Sequence, residues 1–277
     1  MTKKIFSIIG DPIAHSLSPI MHNYWFEKYK INAEYNLLKI REDEIKNVID
    51  KIKNGKISGV NVTLPYKKSV IKYLSKTVND ATETHSVNTI MLDEKKEVIG
   101  ENTDVFGFQA AFLKSFSTPE KKNKKVLILG AGGVAPSIIL AFLKSNISNI
   151  SLSNRTYDRA LFIKRKFQKI NLIKWTNISQ ELHKFDILVN ATSVGLKGNQ
   201  EFNDDFSSFT KNSIFIDTIY NPPQTKLIKY FKNKNIKTFN GLNMLIYQGQ
   251  KSFYLWNKIN PEVDDQLIKL LEKEINI

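Results

Sequence analysis

Two rhythms of apolar and polar positions run along this chain. Apolar runs at 4–9, 34–40 and 59–64 have strand length, and the last alternates strictly, Val60, Val62 and Leu64 against Asn61 and Thr63. Wider spacing at 19–30 and 42–53 fits amphipathic helices. Two short strands are expected at 87–92 and 97–100, then a helix from 104 to 116. The polar stretch STPEKKNKK, with Pro119, breaks the series and reads as a junction. From Lys125 the pattern restarts. VLIL (126–129), ISLSN (150–154), DILVNA (186–191) and SIFIDTIY (213–220) are near-continuous apolar runs of the buried parallel type. Helices are expected between and after them at 133–145, 157–168 and 224–235, and two more close the chain at 243–259 and 261–275. Strands alternating with helices imply βαβ units and parallel sheets, so the fold class is α/β.

Composition narrows the picture. At 277 residues, 42% hydrophobic and 25% charged, the chain has ample core for two domains. It has no cysteine, which excludes disulfides, thiolate metal sites and a cysteine nucleophile, and fits a reducing, cytoplasmic compartment. No apolar run reaches the ~20 residues of a membrane span. The stretch after Lys3-Lys4 ends at Gly10-Asp11-Pro12, too soon for a signal peptide. The formal charge of +14 is spread along the chain among acids, without the stripe or tail of a nucleic-acid binder. A solvated surface accounts for it, and a positive field can steer an anionic substrate or cofactor. A homodimer stays open, since the sequence sets no oligomeric state.

GAGGVA, residues 130–135, follows one apolar run and opens a helix. It fits G-x-G-x-x-G/A through Gly130, Gly132 and Ala135, with Ala131 and Gly133 completing the turn. Such glycines let a pyrophosphate approach backbone N–H groups at a helix N-terminus. A glycine turn can also serve the fold alone; the strand–turn–helix context favours the dinucleotide. An NAD site carries an acid roughly 20 residues on, for the ribose hydroxyl. Here the next strand ends at Asn154, followed by Arg155, Thr156 and Arg159. Guanidinium groups suit a 2′-phosphate, so NADP is the expected cofactor, against the alternative of a solvated basic turn. NATSVG puts Thr192 and Ser193 at the C-terminal end of another expected strand, where parallel sheets bind ligands.

Three stretches of the first half carry polar residues in suggestive places. In GDPIAHSLSPIMH, Ser16 and Ser18 point the same way if the chain is extended, so both hydroxyls can reach one carboxylate. Ser18-Pro19 also reads as a helix cap followed by proline, which explains Ser18 but not Ser16. GENTDVFG places Asp104 at the start of a helix, where a first-turn acid also complements the dipole. In NVTLPYKKS, Pro65 ends the ladder and Lys67 lies just beyond it. This is either a strand with one wet face and a solvated turn, or the floor of a site for a hydroxylated ligand with an amine at its rim. The four histidines lack metal-ligand spacing and read as surface or packing residues, so no metal is expected.

Taken together and in order, GDPIAHSLSP, NVTLPYK, VNT (87–89), NTDVFG, GAGGVA, NRT (154–156), NATSVG and NGLNMLIYQGQKSFYLW resemble the shikimate dehydrogenase family over nearly the whole chain. The resemblance implies NADPH-dependent reduction of 3-dehydroshikimate to shikimate, in aromatic amino-acid biosynthesis. It implies a substrate domain over 1–103, completed by C-terminal helices (241–277) packing back on it, and a doubly wound, Rossmann-like NADP domain over 104–240. Lys67 and Asp104 would be the catalytic pair. Ser16 and Ser18 would bind the substrate carboxylate, with Tyr220 nearby, and Asn61, Thr63, Asn88 and Gln248 would contact ligand groups. Arg155 and Arg159 would take the 2′-phosphate, and Gly241 would join the cofactor contacts. Alternatives are a quinate/shikimate dehydrogenase of broader specificity and a non-catalytic ligand-sensing regulator; the presence of both Lys67 and Asp104 favours an enzyme. The chain departs from the family at His85-Ser86, where Gly-Ala is usual, and at Pro136 in the glycine-turn helix.

Overall fold

The computed structural model describes residues 2–114, 123–196, 201–210 and 212–275. Most of the polar junction STPEKKNKK lies outside the described residues, as do the last two positions of the helix expected to end at 116. By their contacts the described residues form two compact units, one running to Gly107 and including Leu245–Ile275, the other Phe108–Met244.

In chain order the first unit begins with β1 (Lys4–Gly10), α1 (Ser18–Lys28), β2 (Ala33–Lys39), α2 (Ile45–Lys53), β3 (Gly59–Val62), β4 (Lys76–Thr77), α3 (Asp80–Thr84), β5 (Thr89–Leu92) and β6 (Val98–Glu101). α4 (Asp104–Phe108) then widens into a π turn over Gln109–Leu113. The second unit holds β7 (Lys125–Leu129), α5 (Ala135–Lys144), β8 (Asn149–Ser153), α6 (Tyr157–Lys166), β9 (Asn171–Leu172), α7 (Ile178–Glu181), β10 (Ile187–Asn190), β11 (Ile214–Asp217), α8 (Lys226–Asn233) and β12 (Lys237–Phe239). α9 (Leu242–Asn257) and α10 (Asp265–Ile275) follow.

The first sheet has the order β2-β1-β3-β5-β6-β4 and is mixed: β1 pairs in parallel with β2 and β3, whereas β5 runs antiparallel to β3 and β6. α2 covers one face because Ile45, Val48, Ile49 and Ile52 recur at helical spacing and are all buried. They pack with Ile9, Val60, Val62 and Ile90. The other face is aromatic. Phe6, Trp25, Phe26, Tyr35, Phe253 and Trp256 form one stacked group around His22, whose ring lies flat on Tyr35 at 4.4 Å and 3°. The C-terminal helices belong to this face. The Trp256 indole donates to the Ile90 carbonyl at 3.2 Å, and Trp25 donates to the Glu262 carbonyl at 2.9 Å. Neither ring nitrogen of His22 has a hydrogen-bond partner among the described residues. Burial holds this imidazole neutral, with its pKa pushed down to about 3.

The second sheet has the order β12-β11-β10-β7-β8-β9, every pairing parallel. Its strands are apolar on both faces because helices cover both. Leu127, Leu188, Phe215, Ile228 and Phe231 pack on one side, joined at the margin by Trp175, which stacks on Phe202. Strand order reverses between β7 and β10, the switch point of a doubly wound sheet.

The long runs became strands and helices, with ends drawn in. The run expected over 213–220 pairs only to Asp217, because the Asp217 carboxylate takes the Ile219 N–H at 3.1 Å and bends the chain away. The strand expected over 59–64 stops at Val62, and Leu64 is exposed. β4, α3, β9, α7 and β12 are too short to leave a periodic signal.

Candidate active site

After β3 the chain turns through Pro65. Tyr66 buries its ring and donates to the Ile40 carbonyl at 2.7 Å, which anchors the turn. The next side chain is thereby turned inward. Lys67 Nζ lies 2.6 Å from Asp104 Oδ2, with only 14% and 7% of the two side chains exposed. Lys68 is exposed. Asp104 opens α4, and its N–H is capped by Asn102 Oδ1 at 3.0 Å. Its second oxygen, Oδ1, accepts from Asn88 Nδ2 at 2.8 Å. The Asn88 amide is itself oriented, because the Thr103 N–H donates to Asn88 Oδ1 at 2.8 Å and leaves Nδ2 to face the carboxylate. Gln248, on α9, comes within 3.3 Å of the same Nδ2 through Oε1. Lys67, Asp104, Asn88 and Gln248 therefore meet in the first unit. In such a little-exposed ion pair, losing one partner strands the other charge.

Three expectations change here. Asn61 was expected to contact ligand, yet it is buried with its amide committed inward. Its Oδ1 accepts from Tyr35 Oη at 2.8 Å, and its Nδ2 faces the Asn88 carbonyl, Thr89 Oγ1 and Ser252 Oγ at 3.0, 3.1 and 3.0 Å. Ser16 and Ser18 do not lie on extended chain: the Ser16 N–H closes a turn on the Ile13 carbonyl at 2.9 Å, and Ser18 already begins α1. The helix therefore starts one residue early. Ser18 does not cap it; instead Ser16 Oγ accepts from the Ser18 N–H at 3.3 Å, and the Ser18 side chain is buried. Thr63, half-buried, follows β3 and hydrogen-bonds through its N–H to the Ile9 carbonyl at 2.9 Å.

In the second unit, Gly130 follows β7 with φ +105°, and a Cβ there would fall 2.6 Å from the Thr192 methyl. The fold itself demands this glycine. At exposed Gly132 the nearest atom to an added Cβ is 3.9 Å away, so the chain's own packing does not demand a glycine there. The Ala131 N–H donates to Asn154 Oδ1 at 2.9 Å, and Asn154 Nδ2 donates to the Thr156 carbonyl at 2.8 Å. Asn154 thus ties the glycine turn to the loop bearing Arg155. Arg155, Thr156 and Arg159 are exposed, and neither arginine forms an ion pair among the described residues. Gly133 and Ser193 sit in the turns after β7 and β10. Thr192 is held by Asn190, Oγ1 to Oδ1 at 2.7 Å. Asn190 in turn donates to buried Asp217 at 3.0 Å, which also accepts from Thr225 Oγ1 at 2.8 Å. Burial without a cation pushes the Asp217 carboxyl up to about 6. Tyr220, half-buried, follows β11, and Gly241 presses on the Thr218 carbonyl, 2.1 Å from where a Cβ would sit. Both belong to this unit, and Ser16 and Ser18 belong to the first.

Sequence reasoning missed Tyr35, Thr89, Thr103 and Ser252, all buried and all hydrogen-bonded to Asn61 or Asn88. One sign was available: Gln248 and Ser252 are four apart, on one face of a helix.

A doubly wound unit with its glycine turn at the switch point, in a chain that also holds a little-exposed lysine–carboxylate pair, fits a nicotinamide-dinucleotide oxidoreductase. Residues 8–90 match the profile described as "Shikimate dehydrogenase substrate binding domain", and residues 113–239 match "Shikimate / quinate 5-dehydrogenase". The chain is 47% identical over 270 residues to the shikimate dehydrogenase (NADP(+)) of Pelagibacter ubique, covering 98% of this chain and 99% of that one. The crystal structure of shikimate dehydrogenase from Aquifex aeolicus superposes with a TM-score of 0.88 at 31% identity, covering 99% and 98% of the two chains. The Thermus thermophilus enzyme, solved with NADP(H) and shikimate, gives a TM-score of 0.85 at 27% identity over 99% and 98%. The chain belongs to the shikimate dehydrogenase family.

Proposed function

We propose that this protein reduces 3-dehydroshikimate to shikimate with NADPH, a step toward aromatic amino acids. The observation that carries the reading is the little-exposed Lys67–Asp104 pair at 2.6 Å, in a chain of this family. Reducing a ring ketone needs a hydride on carbon and a proton on oxygen. Bound NADPH supplies the hydride. Lys67 supplies the proton or stabilises charge developing on that oxygen. Asp104 holds the ammonium through Oδ2, and Asn88 fixes the carboxylate through Oδ1. Gln248 and Thr63 orient ring hydroxyls, and Ser16, Ser18 and Tyr220 serve the substrate carboxylate. Asn61 acts from beneath, through its internal hydrogen bonds. The second unit suits NADP: open space at Gly132 admits a pyrophosphate, and Arg155 and Arg159 are exposed for a 2′-phosphate. Gly130, Ala131, Gly133, Asn154, Thr156, Thr192, Ser193 and Gly241 shape the remaining cofactor contacts. We place the activity in the cytoplasm, which cell fractionation would check; among the described residues no helix is long and apolar enough to cross a membrane. The central test is to incubate pure protein with 3-dehydroshikimate and NADPH. Nicotinamide absorbance should fall as shikimate forms. No consumption of NADPH or NADH would overturn the proposal, and faster turnover of quinate with NADP would redirect it to the broader-specificity alternative.

A further inference from the structure

Beneath the Lys67–Asp104 pair lies a fully buried group of hydroxyls, Thr89, Thr103 and Ser252, at 0%, 1% and 0% exposure. They come from β5, from the residue before α4, and from α9. Ser252 Oγ is 2.8 Å from Thr89 Oγ1 and 3.1 Å from Thr103 Oγ1, and donates to the Gln248 carbonyl at 3.0 Å. Thr103 meets the Asn88 amide three times: its N–H donates to Oδ1 at 2.8 Å, its Oγ1 accepts from Nδ2 at 2.9 Å, and the same hydroxyl lies within donating reach of Oδ1 at 3.1 Å. Nδ2 has two hydrogens and three acceptors in reach: Asp104 Oδ1 at 2.8 Å, Thr103 Oγ1 at 2.9 Å and Gln248 Oε1 at 3.3 Å. The shorter two take them, which leaves Gln248 Oε1 as an acceptor for something else. Removing the Thr103 hydroxyl would hand the second hydrogen to Gln248 and loosen the grip on the amide, whose Oδ1 would still rest on the Thr103 N–H.

We propose that Thr103 is a positioning residue of the reaction. With Ser252 behind it, its hydroxyl locks the Asn88 amide so that Asp104 faces Lys67 and Gln248 stays available to ligand. The inference rests on the reading of Lys67 and Asp104 as the catalytic pair. The role is not one of packing alone, because the hydroxyl and the methyl of Thr103 can be removed separately.

Thr103→Val keeps the shape and deletes the hydroxyl; Thr103→Ser keeps the hydroxyl and deletes the methyl. Steady-state kinetics with shikimate and NADP should show Thr103→Val losing about tenfold in kcat with a smaller change in the KM for NADP. Thr103→Ser should restore most of that loss. Equal losses in both variants, or a Thr103→Val kcat within about twofold of wild type, would overturn the proposal. Should Thr103→Val not fold, Ser252→Ala carries the test: it should lower kcat about threefold, and an unchanged kcat there overturns the proposal equally. Lys67→Ala in parallel separates the two readings. Near-normal turnover there removes the catalytic pair and this inference with it, whereas a large loss beside an unaffected Thr103→Val overturns this inference alone.

Discussion

In the first unit the candidate side chains hold one another. Lys67, Asp104, Asn88 and Thr103 are joined at 2.6–2.9 Å and screened from water. In the second unit, Arg155 stands exposed on a loop that Asn154 pins only at its base, and Arg159 stands exposed in the first turn of α6. Charges fixed in a water-poor site act on the transition state without reorganising, so the first arrangement suits turnover. Exposed charges attract an anion from a distance and are screened by salt, so the second suits cofactor choice. The contrast assigns each region a kinetic parameter, and substitutions can break it.

The largest effect belongs to the locked region. Lys67→Ala should lower kcat by ~10²–10⁴-fold with a smaller change in the KM for shikimate. Asp104→Asn should also cost turnover, and the double variant should lose less than the product of the two losses, because the pair acts as a unit. Lys68→Ala, one residue along and exposed, should change kcat by less than about twofold. A folded Lys67→Ala protein with near-normal turnover would erase the contrast.

A smaller effect is expected from the open region. Replacing Arg155 and Arg159 with glutamine should raise the KM for NADPH by ~10–100-fold and leave NADH nearly unaffected. Raising the ionic strength should mimic part of this in the wild type, since the arginines are exposed. Equal losses with both cofactors would refute the assignment.

The contrast extends to buried titratable groups. His22 lies among aromatic rings without a hydrogen-bond partner among the described residues, whereas Asp217 accepts from three donors. The imidazole has its folded pKa pushed down to about 3, so its contribution to stability is full above the ordinary value near 6.5 and is lost as pH falls. Asp217 has its pKa pushed up to about 6, so its contribution is full below the ordinary value and is lost as pH rises through 6. Between pH 7 and 5.5 each is worth about 1 kcal/mol, in opposite senses. Denaturant titrations should show His22→Phe gaining stability relative to wild type as pH falls over that interval. Parallel curves for the two proteins would mean that the imidazole takes up protons freely.

The smallest effect concerns His85, which ends α3 at φ 47°, in the left-handed region. A glycine adopts this conformation without a Cβ penalty. His85→Gly should raise stability by about 1 kcal/mol or less, read as a higher denaturant midpoint at unchanged slope. A loss would mean that the histidine side chain contributes more than the strain costs.

The sequence disclosed what depends on long patterns. The central strands β1, β3, β7, β10 and β11 were legible as apolar runs, and the Lys67–Asp104 pair because two distinctive stretches named it; the antiparallel direction of β5 in the first sheet was not, where parallel pairing was expected. The direction of an amide was not legible. Whether Asn61 faces ligand or interior depends on β3 pairing with β5, which sets it opposite Thr89, and on α9 bringing Ser252 beside both. Ser18 misled for a local reason, since a turn at Ile13–Ser16 starts the helix one residue early and puts Ser18 inside it. Thr103 has no periodic mark at all; its importance lies in which atom of Asn88 it meets.

The aromatic group around His22 has an optical consequence. Trp25 and Trp256 both lie in it, and the remaining tryptophan, Trp175, stacks on Phe202 in the other unit. The chain's intrinsic fluorescence therefore carries two channels. In a Trp175→Phe protein every indole photon would originate beside His22, so the emission would follow the surroundings of that imidazole without any added dye.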